Sequence, residues 1–168
     1  MRRIATNGDL VVLTFKVGHY SCAFPVEQVE EIVPIAATAK VPGQPSILEG
    51  FLNLRGAILP VVRMAAFFSL PLQSGLYAPI IVIRGGNRSL GLLVSEVESV
   101  STVAAGELRK LTANHTANEY AEAEFDLNDR SVALLNLDRL LLAEEQLRIG
   151  ELQWQVEQRL KALEAAKS

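Results

Sequence analysis

A series of short apolar segments, separated by turn signals, fills most of the chain and limits the folds it can adopt. The first segment, Leu10–Val17, alternates apolar with polar residues such as Thr14 and Lys16. This period of two is typical of a half-buried β-strand. Gly18-His19 then predicts a turn into a second strand over residues 20–24.

Two further turn signals divide the middle of the chain. Arg55-Gly56 separates two apolar runs, which indicates a hairpin or a bulge, and Gly85-Gly86-Asn87 closes a second hairpin. Residues 112–124 are polar and irregular and are predicted to form a loop. The predicted strands cover residues 10–17, 20–24, 48–54, 57–62, 78–84, 89–94, 97–103, 125–127 and 131–137. Many short strands without βαβ alternation favour small barrels or a sandwich over a doubly wound sheet.

The pattern becomes helical in two places. After Pro25, the spacing of Val26, Val29 and Ile32 predicts one short amphipathic helix that ends at Pro34. From Asp138, a plausible N-cap, the chain is rich in strong helix formers, so residues 138–168 are predicted to form a C-terminal helix.

The C-terminal helix carries an apolar stripe, and Trp154 lies off it near Leu147. We expect this helix to pack back on the β-structure, because the stripe is only two or three heptads long. Self-association through the stripe is the alternative. The stripe consists of Ile149, Leu152, Val156, Leu160 and Leu163.

Composition narrows the function and the compartment. The chain has 168 residues, about half of them apolar, which is enough for one domain. Its net charge of -3 gives no general attraction to nucleic acid or anionic lipid. The single cysteine, Cys22, cannot form an internal disulfide, and Met1-Arg2-Arg3 is not followed by the apolar stretch of a signal peptide. No apolar run approaches the roughly 20 residues of a membrane span. We therefore expect a cytoplasmic protein.

The candidate catalytic and metal-binding residues form no convincing set. His19 and His115 are the only histidines, and neither has a partner arrangement for a hydrolase or a metal site. Cys22 lies in an apolar strand, where a small core residue is expected rather than a nucleophile. Gly85-Gly86-Asn87 lacks the Lys-Ser/Thr of a phosphate loop, and the acids between Glu27 and Glu31 are typical of a solvated surface. No catalysis, cofactor or metal is therefore predicted.

Arg55 stands out because it lies within an otherwise apolar region from residue 47 to residue 62. An arginine in such a region must lie at an edge or be paired. On spacing alone it could still be a surface arginine in a hairpin turn.

Four blocks, taken together with Arg55, resemble CheW-like coupling domains over nearly the whole chain. Asn-Leu-Arg-Gly followed by an apolar-Pro-Val run, with a Pro-x-x-Pro loop upstream, is the most specific of them. The blocks are Phe24-Pro25-Val26-Glu27-Gln28-Val29-Glu30-Glu31-Ile32; Val41-Pro42-Gly43-Gln44-Pro45 leading into Leu48-Glu49-Gly50-Phe51-Leu52-Asn53-Leu54-Arg55-Gly56-Ala57-Ile58-Leu59-Pro60-Val61; Leu90-Gly91-Leu92-Leu93-Val94 with Val97; and Val132-Ala133-Leu134-Leu135-Asn136-Leu137-Asp138-Arg139-Leu140-Leu141.

The resemblance implies a mainly β, SH3/OB-like fold: one domain over residues 1–168 made of two small five-stranded barrels on a shared core, with a short helix after the second strand and a C-terminal helix. It implies a non-catalytic adaptor, without a cofactor, that couples chemoreceptors (methyl-accepting chemotaxis proteins), at their cytoplasmic signalling tip, to the regulatory domain of a CheA-type histidine kinase. Such an adaptor has no membrane insertion of its own and reaches receptor arrays through its partners. An adaptor of a type IV pilus system is the alternative, and a nucleic-acid-binding small barrel is a remote one, since the chain is acidic and poor in aromatics.

The resemblance also assigns residues to protein interaction. Arg55 would be the motif arginine and pair with Glu31, while Asn53 and Gly56 would shape the turn. Val29 and Gly50 match positions on a receptor-facing surface. Two positions depart from the family pattern: Arg63 and Ser95 stand where an acid is common.

Overall fold

The protein is mainly β, with two curled antiparallel-rich sheets and one C-terminal helix, as the sequence predicted. The structure is a computed structural model and describes residues 8–71, 77–85, 88–111 and 119–167. His115 and residues 112–118 of the predicted loop, together with Gly86 and Asn87 of the second hairpin, lie outside these ranges. No helix in the described part of the chain is long and apolar enough to cross a membrane.

Each sheet contains six strands rather than the expected five, because a two-residue strand, β4 or β10, is added at one edge. The first sheet has the order β10-β11-β12-β2-β1-β9 and the second the order β3-β7-β8-β6-β5-β4. The strands are β1 (Leu10–Val17), β2 (Tyr20–Pro25), β3 (Val29–Pro34), β4 (Thr38–Ala39), β5 (Leu48–Leu54), β6 (Ala57–Arg63), β7 (Pro79–Gly85), β8 (Arg88–Leu93), β9 (Glu96–Val103), β10 (Arg109–Lys110), β11 (Ala121–Leu127) and β12 (Arg130–Leu135).

Both sheets contribute to one hydrophobic cluster. Phe15 of β1 and Phe24 of β2 stack with ring centroids 5.4 Å apart. The same cluster contains Ile81 of β7, Leu92 of β8 and Leu140 from the start of the helix, all fully buried. Two smaller clusters fill the individual sheets. The large shared cluster holds the two sheets and the start of the helix together.

The amphipathic helix predicted after Pro25 is wrong beyond its first turn. A three-residue 3₁₀ turn, Val26–Gln28, is followed directly by β3, in which Val29 pairs with Ile83 of β7. The residues that suggested a helical spacing are β-branched and suit a strand equally well. Pairing with β7 decides between the two patterns, and no local signal reports that pairing.

The loop predicted for residues 112–124 is also partly wrong, because β11 begins at Ala121. In this strand Ala121, Ala123 and Phe125 are buried, whereas the acids between them are partly exposed. This is a clear period of two, but alanine and glutamate have low strand propensities, so their alternation does not by itself indicate a strand.

The helix α1 (Leu137–Lys167) begins one residue earlier than predicted. The side chain of Asn136, and not that of Asp138, caps it: Asn136 Oδ1 accepts a hydrogen bond of 3.0 Å from the backbone N–H of Arg139. Leu137 and Leu140 are buried against the sheets.

The far end of α1 does not pack back on the sheets, contrary to the expectation. Over residues 154–167 every described side chain except that of Gln155 is exposed, including Trp154, which is 60% exposed. The apolar stripe there therefore does not belong to the barrel core.

Candidate interaction surface at the β5–β6 turn

The turn between β5 and β6 consists of two residues with left-handed backbone. Arg55 has φ 50° and Gly56 has φ 88°, so the turn matches the mirror-image hairpin turns that fit the twist of β-strands. The backbone N–H of Gly56 donates to Asn53 Oδ1 at 3.1 Å, which closes the turn as predicted. Left-handed backbone costs a non-glycine residue about 1 kcal/mol, so arginine is not the residue that the turn itself prefers.

The guanidinium of Arg55 reaches across the curled sheet to two acids of β3. Its Nη1 donates to Glu31 Oε2 at 3.0 Å, and its Nη2 donates to Glu30 Oε1 at 3.5 Å. Arg84 of β7 donates to the same Glu30 oxygen at 2.6 Å. The predicted pairing of Arg55 with Glu31 is thus present, and it links the two distant strands of the second sheet.

The cations of this cluster lie outside and the acids lie inside. The Arg55 side chain is 65% exposed and that of Arg84 is 63% exposed, whereas the side chains of Glu30 and Glu31 are mostly buried. The hydrogen bond from Arg55 to Glu31, and the charge of Glu31, raise the pKa of Arg55, so it stays protonated. Exposed pairs of this kind add little to stability, so their main effect is to fix the orientation of two guanidinium groups at the surface.

Glu30 and Arg84 were missed from the sequence. The sequence places Glu30 among the acids of the predicted helix, and nothing local connects Arg84 to it. The link arises because β3 and β7 are neighbours in the sheet.

Exposed apolar side chains belong to the same strands. Ile58, which pairs with Asn53 in the β5–β6 register, is 65% exposed, and Ile32, next to Glu31, is also exposed. Apolar side chains beside oriented arginines are typical of protein–protein contact surfaces.

Two of the predicted interaction residues have a more structural setting. Gly50 is buried, and a Cβ there would lie 2.7 Å from the carbonyl oxygen of Ala39, so the absence of a side chain lets β5 and β4 approach. The receptor-facing role that the resemblance implies for Gly50 stays a prediction. Val29 is half-buried and packs against the shared cluster.

The unexpected Arg63 has a clear partner. Its Nε donates to Glu49 Oε2 at 2.8 Å and its Nη1 donates to the carbonyl of Ser46 at 2.7 Å. Lys40 Nζ contacts the other oxygen of Glu49 at 3.0 Å. Burial alone would raise the pKa of Glu49, but the hydrogen bonds from Arg63 and Lys40 outweigh it and the pKa is lowered. This cluster ties the Pro42–Pro45 loop to β5 and β6.

Ser95, the second departure, also has a structural contact. Its Oγ accepts a hydrogen bond of 2.8 Å from the backbone N–H of Gly18, and its own N–H donates to the carbonyl of Lys16. Ser95 therefore connects the start of β9 to the β1–β2 turn.

The candidate chemical groups have ordinary surroundings. His19 lies against Tyr20 with ring centroids 4.2 Å apart and the rings tilted by 32°. Burial raises the pKa of Cys22 to about 12, which removes the thiolate that a nucleophile needs. Within the described ranges, no three His, Cys, Asp or Glu residues are grouped as a metal site.

Comparison with known proteins agrees with this arrangement of strands and turn. The family model of the CheW-like domain matches residues 11–145. The chain belongs to this family. It is 25% identical over 133 residues to the chemotaxis protein CheW of Thermotoga maritima, with 79% of this chain and 88% of the relative covered. It is 27% identical over 143 residues to the chemotaxis protein CheW of Rhizobium meliloti, with 83% and 92% covered.

A solved structure supports the fold. The crystal structure of the scaffolding protein CheW of Thermoanaerobacter tengcongensis matches with a TM-score of 0.69 at 22% identity, covering 76% of this chain and 89% of that one. CheW-like proteins are non-catalytic scaffolds, and this chain is accordingly a chemotaxis scaffold of that family and not an enzyme.

Proposed function

We propose that this chain couples the cytoplasmic tips of chemoreceptors to the regulatory domain of a CheA-type histidine kinase. Membership of the CheW-like family supports this coupling, and so do relatives named as chemotaxis proteins. The observation that carries the proposal for this chain is the exposed Arg55, held by Glu31 at 3.0 Å, in a hairpin whose strand β6 carries the exposed Ile58. The protein acts in the cytoplasm and reaches the membrane arrays through these partners.

Arg55 organises the docking surface and does no chemistry. Its guanidinium, fixed by two acids, offers its remaining N–H groups to an acceptor on a partner, while Ile58 provides apolar contact area. Arginine and apolar anchors of this kind carry a large share of the binding energy in protein interfaces. Val29, Asn53 and Gly56 contribute by fixing the strand and the turn.

The test is the affinity of the purified chain for the regulatory domain of the cognate kinase, measured by calorimetry. We expect Arg55→Ala to weaken binding about tenfold or more, because arginines well placed in an interface are among the residues that contribute most to affinity. Arg109→Ala is a matched control, since Arg109 is also exposed and paired, with Asp126 Oδ1 at 3.1 Å, but lies on the other sheet.

If the wild type binds the kinase domain and Arg55→Ala binds it with the same affinity, Arg55 is not part of the interface. No binding by the wild type at about 100 µM would remove the kinase contact itself. A deletion strain then assigns the output. Loss of chemotactic spreading in soft agar supports the proposal, and loss of twitching alone would assign the chain to a pilus system.

A further inference from the structure

The distal part of α1 carries a strip of exposed apolar side chains. Val156, Leu160 and Leu163 are 52%, 55% and 61% exposed, in contrast to the fully buried Leu140 near the start of the same helix. At 1.5 Å per residue, residues 145–167 extend about 33 Å. An exposed apolar strip on a helix of this length is typical of a surface that another helix covers.

The spacing of these residues corresponds to a coiled-coil seam. Val156 and Leu163 occupy successive d positions of a heptad repeat, and Leu160 occupies the a position between them. The seam is short, so it fits one partner helix of matching pattern.

The charges beside the seam identify that partner. Arg159 lies at a g position on one side of the seam, while Glu157 and Glu164 lie at e positions on the other side. In a parallel pair of identical helices, the g side of each chain faces the e side of the other, so Arg159 meets Glu164 of the second copy five residues later. An antiparallel pair would place Arg159 beside the basic side of its partner and the acids beside acids.

We propose that two copies of this chain associate through a parallel pairing of α1, with Val156, Leu160 and Leu163 in the seam and Arg159 paired with Glu164 across it. This pairing is separate from the coupling function, and neither depends on the other. Three apolar residues per chain must offset the loss of freedom on association, so the dimer is weak and forms at high local concentration. Such a dimer would join two scaffold molecules through their C-terminal helices.

Sedimentation equilibrium of the full-length chain, from about 10 µM to about 500 µM, is the first test. The average mass of the wild type rises with concentration. Leu160→Glu weakens association more than about tenfold, because it places an acid in the seam. Gln158→Glu is the matched control: it adds the same charge at an exposed position of the same turn, away from the seam, and should associate like the wild type.

A charge exchange tests the orientation. Arg159→Glu and Glu164→Arg each create a like-charge contact in a parallel pair, so each variant alone associates about three- to tenfold more weakly than the wild type. An equimolar mixture of the two restores association, because both contacts become complementary in the mixed dimer. Circular dichroism of each variant establishes that α1 remains helical.

Three outcomes would overturn the proposal. A wild type that stays monomeric over the whole range excludes the dimer, and equal association of Leu160→Glu and Gln158→Glu excludes the seam. Single charge variants that associate as well as the wild type exclude the parallel pairing. If the wild type is monomeric and Leu160→Glu instead loses binding to a receptor helix, the strip belongs to that partner. None of these outcomes bears on the proposed kinase contact, which is tested separately with Arg55→Ala.

Discussion

At the scale of single residues, Glu49 shows how an acid is kept charged next to a hydrophobic core. Its side chain is only 5% exposed, yet each carboxylate oxygen has its own cation, Lys40 on one and Arg63 on the other. Arg63 also holds the carbonyl of Ser46, so the cluster fixes the proline-containing loop in front of β5. Removing one partner of such a cluster leaves an uncompensated charge, which costs more than the pair contributes.

Glu49→Gln should lower the free energy of unfolding at pH 7 by about 2 kcal/mol, the contribution of hydrogen bonds to a charged group. Because the pKa of Glu49 is lower in the folded than in the unfolded chain, this contribution is complete above about pH 4.3 and is lost as the pH falls through the folded-state pKa. Urea unfolding of both proteins between pH 7 and about pH 3 measures the difference. A difference that keeps its pH 7 value down to about pH 3 would contradict the assignment.

At the scale of secondary-structure elements, the strands β1, β2 and β5 to β9 lie within one residue of their predicted bounds, whereas β3 was not predicted and β11 was predicted only in part. The Arg55-Gly56 turn follows from two residues, because Gly56 tolerates left-handed backbone. The segments at β3 and β11 depend on their neighbours in the sheet, and neither the β-branched residues around Ile32 nor the alanines of β11 identify those neighbours. The same holds for the site: the Arg55–Glu31 pair came from the family resemblance, while Arg84 required the β3–β7 pairing.

The packing of β8 against its neighbours gives a prediction at this scale. A Cβ on Gly91 would lie 2.9 Å from Val61 Cγ2 and 3.0 Å from Ile80 Cγ2, so Gly91→Ala should destabilise the protein by about 1–3 kcal/mol. Gly106→Ala is the control, since nothing lies within 4 Å of its Cβ position. Chemical denaturation measures both. Equal stability of the two variants would contradict the prediction, because it would mean that Val61 and Ile80 shift at little cost to accept the added methyl group.

At the scale of the whole molecule, one cluster joins both sheets and the start of α1. The strand pattern predicts many short strands, and the resemblance implies two sets of them. That Phe15, Ile81 and Leu140 share a core depends on tertiary packing, which no local pattern contains. The resemblance supplied the shared core, and it did not supply the exposure of the end of α1. The two sheets should therefore unfold together.

Cys22 provides a probe for that unfolding. It is fully buried in the shared cluster and its pKa is raised to about 12, so a thiol reagent such as dithionitrobenzoate should not react with the native chain. In urea the reaction should appear over the same concentration range as the loss of β-sheet signal in circular dichroism. Rapid labelling under native conditions would mean that the shared core opens locally.

The only tryptophan of the chain, Trp154, lies on the free part of α1, with its ring in contact with solvent. We expect its fluorescence emission to be that of a solvated indole, so unfolding of the barrels should change its wavelength little. Tyr20, stacked on Phe68 at 5.0 Å, and Tyr120, against Phe67 at 5.5 Å, lie where the sheets pack. The intrinsic fluorescence of this protein should therefore contain two separate signals: emission from Tyr20 and Tyr120 reports on the barrels, and emission from Trp154 reports on the helix.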